Sequence, residues 1–413
     1  MDNLTHTLIG VAIGEAVSRC LTANSGGTPQ VSRRNLLVTL GAAGSNLPDV
    51  DLLWSYGFGR SPLHYLLEHR GYTHTIVGCI GLALLLYLAA MWWAQRQRLP
   101  ASRYDRLTFA ATALFAVCLH LGMDALNSYG VHPFWPFDNR WYYGDSLFIV
   151  EPLYWVAAAP LLFLMRTWFA RGALLLALLA AVVIGFFMYA TQTGWSIAIA
   201  LITIGLVFAG RAVTPRAATL MSTSSMAGVT MMFVFAGVLA SNRASGLAAA
   251  QFAGARTLDT VLSPTPMNPL CWDVLFAQLD GFEYRARRAM LAIAPGVLQA
   301  EHCPRLTIAT HTTAPLHEVA ATDTPAVAWL GEFHAPLSVL QEVALRSCEM
   351  RELLQFARVP FATRTGTDWI VGDLRYDRET ELGLSELRLG VTPAPCRHSA
   401  PWRGPRESLL ESP

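Results

Sequence analysis

Six apolar runs, at 75–94, 107–126, 147–165, 173–189, 195–210 and 226–240, recur along the first 240 residues, and each approaches the ~20 residues that a bilayer-crossing helix needs. Backbone amides and carbonyls in hydrocarbon have no water to bond, so a chain with this pattern is confined to a bundle of spanning helices. Composition agrees: 53% of the 413 residues are hydrophobic and only 14% charged, with mean hydropathy +0.36, which excludes an ordinary soluble enzyme of this length. Two earlier runs are weaker. The run at 4–21 carries Glu15, and that at 36–47 is about half a bilayer long, so tilted, re-entrant or half-buried placements remain open for both. A cleaved signal peptide is not expected, because the chain opens on Asp2 and His6 and places Arg19 at the end of the apolar run.

All 30 basic residues are arginine, and their distribution gives an orientation. With strictly alternating spans, Arg19, Arg33, Arg34, Arg96, Arg98, Arg103, Arg106, Arg166, Arg171, Arg211 and Arg216 share one side. Only Arg60, Arg70 and Arg140 fall on the other before Arg243. The positive-inside rule makes the first group cytoplasmic and places His74, His120 and Asp124 together on the opposite face. If both early runs cross, His6 and Asp49 reach that face too.

From about residue 257 the composition turns charged and proline-containing. Runs 271–279 and 282–293 read as strands around Asp280-Gly281, a hairpin signal, while 337–356 has helical spacing and 369–376 reads as a strand. The expected fold is therefore mainly α: a polytopic helical membrane protein, 1–245, with a small C-terminal α+β soluble domain, 257–392, and a disordered tail, 393–413. Seven cysteines form no CxxC pair, which argues against a zinc ribbon or thioredoxin-type site. Cys271, Cys303, Cys348 and Cys396 are disposed to form disulfides if the soluble domain is extracytoplasmic.

The chemistry concentrates where apolar runs end. Asp2 with His6, and His120 with Asp124, are four residues apart, which stacks each pair on one helical face. His69 and His74 flank Gly71, and Pro48 ends a short run before Asp49 and Asp51. Imidazole with carboxylate suits zinc, manganese or iron, and seven or eight such groups exceed one tetrahedral ion, so one to three ions are expected, with zinc or manganese preferred. Taken singly, a histidine near a helix end is more often a hydrogen-bonded interfacial residue than a ligand. Asp2 and Asp51 read equally well as helix N-caps. It is the grouping on one predicted face, where ionisable groups are costly, that favours a site. Arg70 and Arg140 are natural partners for a phosphate or other oxyanion, and Glu151 reads as a general base, an extra ligand or an interfacial carboxylate. His64 has no partner at a fixed spacing, and His302, His311, His317, His334 and His398 are scattered without ligand spacing.

Met1-Asp2-Asn3-Leu4-Thr5-His6 with Gly10, Leu47-Pro48-Asp49-Val50-Asp51, His69-Arg70-Gly71-Tyr72-Thr73-His74-Thr75, and His120 with Asp124 before Ser128-Tyr129-Gly130 together resemble the bacterial LexA-regulated inner-membrane metal-dependent hydrolase family. The resemblance covers about the first 165 residues, through Pro136-Phe137 and Glu151-Pro152. It implies His6, Asp49, Asp51, His69, His74, His120 and Asp124 as metal-site residues. Thr75 stands where serine is common in the family, and Glu151 where aspartate is common.

The expected function is a membrane-bound hydrolase using metal-activated water on a phosphoester or lipid-linked substrate, with Arg70, Asp51 and Glu151 as catalytic candidates. The alternative is a metal-binding membrane protein or transporter without hydrolysis, for which Glu15 is the clear mid-span ionisable group. No GxSxG motif points to a serine hydrolase. The lipid bilayer is the expected partner, and no nucleic-acid partner is expected.

Overall fold

The computed structural model describes residues 1–25, 31–56, 62–390, 400–406 and 409. In chain order its helices are α1 (Asn3–Ser25), α2 (Val31–Gly44), the short α3 (Leu52–Ser55) and α4 (Pro62–Glu68), α5 (Ile76–Arg96), α6 (Arg103–Ala125), the short α7 (Leu153–Ala157), α8 (Trp168–Met188), α9 (Thr193–Ala212) and α10 (Pro215–Gln251). The chain divides into two compact units. One comprises Met1–Val50, Thr73–Ala125 and Phe148–Phe233, and the other Asp51–Tyr72, Leu126–Leu147 and Val234–Pro413.

Among the described residues, α5, α6, α8, α9 and α10 are long and apolar enough to cross a membrane. Hydroxyl caps start two of them: Thr75 accepts from the Gly78 amide and Thr167 from the Ala170 amide, each satisfying an otherwise orphaned donor. Leu84, Leu85 and Leu88 on α5, and Leu176 and Leu179 on α8, are each more than half exposed, a pattern that only an apolar solvent tolerates along whole helices. The run expected at 226–240 is part of the much longer α10, whose 37 residues extend about 55 Å and outreach the ~30 Å hydrocarbon core.

The two weak early runs are helices of the first unit. Gly10 and Gly14, one turn apart on α1, let its backbone approach that of α2: a Cβ on Gly10 would lie 2.3 Å from the Gly41 carbonyl oxygen. Small residues at such a crossing replace the hydrophobic driving force that lipid removes. Glu15 is buried and bonded by Arg19 at 3.1 Å and by Arg34 through both Nε, at 3.1 Å, and Nη2.

The run at 147–165, expected as a spanning helix, is instead broken into α7 and a 3-10 turn, Ala159–Leu164. Pro152 and Pro160 each lack an amide proton, which denies a continuous helix its hydrogen-bond ladder. Residues 154–162 are all buried, and both ends are tied within the same unit: Ile149 O accepts from Asp2 N at 3.0 Å, and Leu164 O from Arg34 Nη2 at 3.0 Å. Irregular backbone among spanning helices survives only under such protein cover.

In the second unit, β1 (Arg256–Thr265), β2 (Asn268–Asp280), β3 (Glu283–Ala292) and β4 (Val327–Pro336) form an antiparallel sheet in sequence order. The expected hairpin is β2–β3; Asp280 pairs with Glu283, and the loop is Gly281-Phe282, with Gly281 at φ 60°. The helical run at 337–356 is two helices, α11 (Leu337–Arg346) and α12 (Cys348–Leu354), because Ser347 turns extended and caps the second through the Met350 amide. The expected strand at 369–376 is β6 (Asp368–Asp373), central in a second sheet between β5 (Pro360–Thr365) and β7 (Leu387–Leu389). Cys271 and Cys303 are joined, and Cys348 is also disulfide-bonded.

Where a disordered tail was expected, residues 400–406 are packed. Trp402 is buried, donates to Leu67 O at 2.6 Å and stacks on His132 at 3.9 Å, and Arg406 donates to Arg358 O at 2.7 Å. Arg60, Cys396, His398 and the remainder of the tail, 391–399, 407–408 and 410–413, lie outside the described residues.

Candidate metal centre

Four ligand-type side chains of the first unit converge from three elements. Asp49 sits in the 3-10 turn Leu47–Asp51 that Pro48 enforces after α2, His74 in the turn Tyr72–His74 before α5, and His120 and Asp124 one turn apart on α6. One ligand atom from each lies within 4.8 Å of all the others, and all four residues are buried. His74 Nε2 and His120 Nε2 are 3.0 Å apart. Each is 3.4 Å from Asp49 Oδ1, and they lie 3.4 and 3.6 Å from Asp124 Oδ2. His6 on α1 joins them: its Nε2 is 3.2 Å from Asp124 Oδ1 and its ring stacks on that of His120 at 3.9 Å.

The tautomer of His120 follows from its neighbour. Nδ1 lies 2.7 Å from the Ser45 carbonyl oxygen, an acceptor only, so Nδ1 carries the proton and Nε2 presents its lone pair. A backbone carbonyl behind one imidazole nitrogen is the usual way of fixing a ligating histidine. His74 Nδ1 has the Thr73 hydroxyl at 3.0 Å in the equivalent place. Burial works against ionisation of Asp49, but the His120 and His74 imidazoles outweigh it and hold its carboxyl well below the usual range. Asp49 Oδ1 nevertheless has no hydrogen bond of acceptable geometry. The Met1 ammonium donates to Asp124 Oδ1, which leaves Oδ2 facing the imidazoles; two imidazole nitrogens and two carboxylate oxygens turned toward one point form a donor set that fits a divalent cation.

A second polar group is built within the other unit. His69 Nδ1 and Asp51 Oδ1 are 2.9 Å apart, and the Arg70 amide donates to Asp51 Oδ2 at 2.9 Å. Arg70, 3% exposed and left-handed at φ 62°, donates through Nη1 to Asn127 Oδ1 at 2.8 Å and lies over the Tyr129 ring at 4.9 Å. Asp51 stands before α3 without a side-chain cap bond, so its carboxylate orients the His69-Arg70 segment rather than capping a helix.

The remaining candidates fall elsewhere. Glu151 is buried and accepts from the Leu153 amide at 3.0 Å, which starts α7, and it is outside the clustered ligand groups. Asp2 accepts from the Thr5 amide and hydroxyl at 2.8 and 2.6 Å, a capping role at the start of α1. Arg140, expected as an oxyanion partner, is exposed and paired with Asp138 at 2.6 Å. Sequence reasoning passed over Asn127 and His132, both fully buried; neither has a motif spacing, and only the polar-in-apolar setting of Ala125-Leu126-Asn127 hinted at the first.

These features define a polytopic membrane protein with a buried His/Asp cluster on its helical unit. Residues 1–195 match the family model described as YdjM inner membrane protein. Together with the apolar helices, the match supports a multi-pass inner-membrane protein. No significant similarity was found to a curated protein or to a solved structure.

Proposed function

We propose that the protein is a membrane-bound metal-dependent hydrolase of phosphoesters, lipid-linked ones foremost, with a divalent ion, zinc or manganese, held by Asp49, His74, His120 and Asp124. The observation that carries this reading is the pair of imidazole Nε2 atoms 3.0 Å apart, each 3.4 Å from the same carboxylate oxygen of Asp49. When bound, such an ion lowers the pKa of water and polarises a phosphoryl oxygen. Ser45 O holds the His120 tautomer, and His6 supports Asp124 or adds a ligand. Within the other unit, Arg70, fixed by Asn127 and Tyr129, is a candidate for binding anionic charge, with Asp51 orienting His69 and Arg70. A transport path through the unit is disfavoured, because Glu15, its clearest mid-span carboxylate, is bonded by Arg19 and Arg34.

The test is metal analysis of the purified protein beside a screen of phosphoester and phospholipid substrates. Bound metal and turnover that both vanish in His120→Ala support the reading. Full metal content in His120→Ala and Asp124→Ala would make the cluster a structural network and sink it.

The arginine distribution further supports a topology with the cluster and the C-terminal domain on the non-cytoplasmic side, and the Cys271–Cys303 disulfide fits an oxidising compartment. Reporter fusions should give a cytoplasmic signal after Arg98 and an external one after Thr257. Cytoplasmic signal at both points would overturn the topology.

A further inference from the structure

An apolar groove of about 520 Å³ runs along the first unit, walled by α1, α6 and α10, two of which also carry residues of the His/Asp cluster. On α1, Ile9 and Ile13 follow His6 at i+3 and i+7, so the groove continues the helical face that His6 begins. On α6, Leu119 and Met123 each immediately precede a cluster residue, His120 and Asp124, and Phe115 extends their stripe by one turn. From Met123 to Phe115, or from Ile9 to Val17, is eight residues, about 12 Å of helix. That is most of the ~15 Å hydrocarbon depth of one leaflet.

Its lining offers a ligand almost nothing polar. Tyr154 and Thr230 bond each other at 2.7 Å, and Thr223 donates to Thr219 O at 3.0 Å. Met123, Met226 and Met231 supply adaptable thioether side chains, and Ala12, Ala16 and Ala227 keep the floor low. Phe115 and Met231 are 56% and 66% exposed, so the groove opens sideways where helices long enough to span a bilayer meet lipid. Its volume falls in the range of small-molecule sites and does not take in a helix about 10 Å across.

We propose that this groove seats the acyl chain of a membrane phospholipid whose headgroup reaches the His/Asp cluster. The position of the headgroup rests on the proposed function; the seating of the chain rests on the groove alone. A free phosphate ester without a tail would then be a poorer ligand than the same headgroup on a lipid, because only the lipid gains the apolar contact.

The experiment places the full-length protein in vesicles of phosphatidylethanolamine and phosphatidylglycerol, the latter doped with a species bearing a diazirine near the acyl terminus. Photolabelled positions are then mapped by mass spectrometry. Labelling of Phe115, Leu119, Ala227 and Met231 should exceed that of the exposed Leu84 and Leu176 by about tenfold, a preference of about 1.4 kcal/mol. The double variant Ala12→Phe, Ala227→Trp should bring groove labelling down to the Leu84 level while leaving bound metal unchanged, which shows that the unit still folds. Even labelling of all six positions, label that persists in the filled variant, or crosslinks between two protein copies through the groove would overturn the proposal. Selective groove labelling in a wild-type protein that holds no metal and hydrolyses nothing would support the chain site and remove the proposed function, so the two fail separately.

Discussion

Arg358 in the second unit lies between two carboxylates that use its donors: Asp145 accepts from Nη1 and Nη2 at 2.7 and 2.9 Å, and Asp259 from Nε and Nη2 at 2.9 and 3.0 Å. Burial favours its neutral form, yet the two aspartates hold its pKa well above the ordinary value. In the first unit, His74 and His120 face each other and two carboxylates, of which Asp124 also accepts from the Met1 ammonium through Oδ1. Both groups are buried, but one sets a guanidinium between two carboxylates, and the other turns two imidazole nitrogens, Asp49 Oδ1 and Asp124 Oδ2 toward one point. A polar network that only stabilises a fold closes on itself, as the arginine network does. One that turns imidazole nitrogens and carboxylate oxygens toward a single point is able to hold a cation from outside.

The contrast breaks most sharply under substitution. His74→Ala, His120→Ala and Asp124→Ala should each lower metal affinity by more than about 100-fold, read by metal analysis, with membrane insertion intact, since even the partners behind a ligand are worth 10–100-fold. Arg358→Met should do the reverse. Removing one member of a buried ion network costs about 3–5 kcal/mol, so the melting temperature should fall by roughly 10 °C with metal content unchanged. If Arg358→Met instead released the metal, the two groups would not be independent of each other. Arg70→Ala should keep the metal and lower turnover by about 100-fold, because a guanidinium binds developing negative charge without ligating the ion; His311→Ala and His334→Ala should change neither.

The smallest expected effect sharpens the picture of the second unit. Burial, and then the neighbouring Asp377, push Glu386 up to about 7, although the Gly383 amide works the other way. Its folded pKa is raised above the unfolded carboxyl value, so this carboxyl lowers stability as pH rises from about 4.5 through 7. Glu386→Gln should flatten that decline and raise the melting temperature at pH 8 by about 3 °C. A melting curve whose pH dependence is unchanged in the variant would show that another group governs it.

Much of the helical unit was legible because a long apolar run has few alternatives in lipid, and the β2–β3 hairpin because Asp280-Gly281 sits between two strand-like runs. His120 and Asp124 were legible as a pair from their spacing, whereas their meeting with Asp49 and His74 needs the packing of α2, α5 and α6. The break at 147–165 was missed because hydropathy counts Pro152 and Pro160 as tolerable, although each removes a backbone donor. Ser347 likewise divides a run with good helical spacing. The second unit draws in segments 51–72 and 126–147, which lie far from its sheet in sequence, and no local signal announces such long-range recruitment.

The broken segment between Ile149 and Leu164 also bears on biogenesis. An uninterrupted helix carries its own hydrogen bonds into the bilayer and can be released there singly. This stretch cannot, because Leu164 O relies on Arg34 and Ile149 O on the amide of Asp2, residues made more than a hundred positions earlier in synthesis. Its native form therefore arises only after α1 and α2 have inserted and stayed nearby, which makes the maturation of this unit a late, post-insertional event that no single span can complete alone.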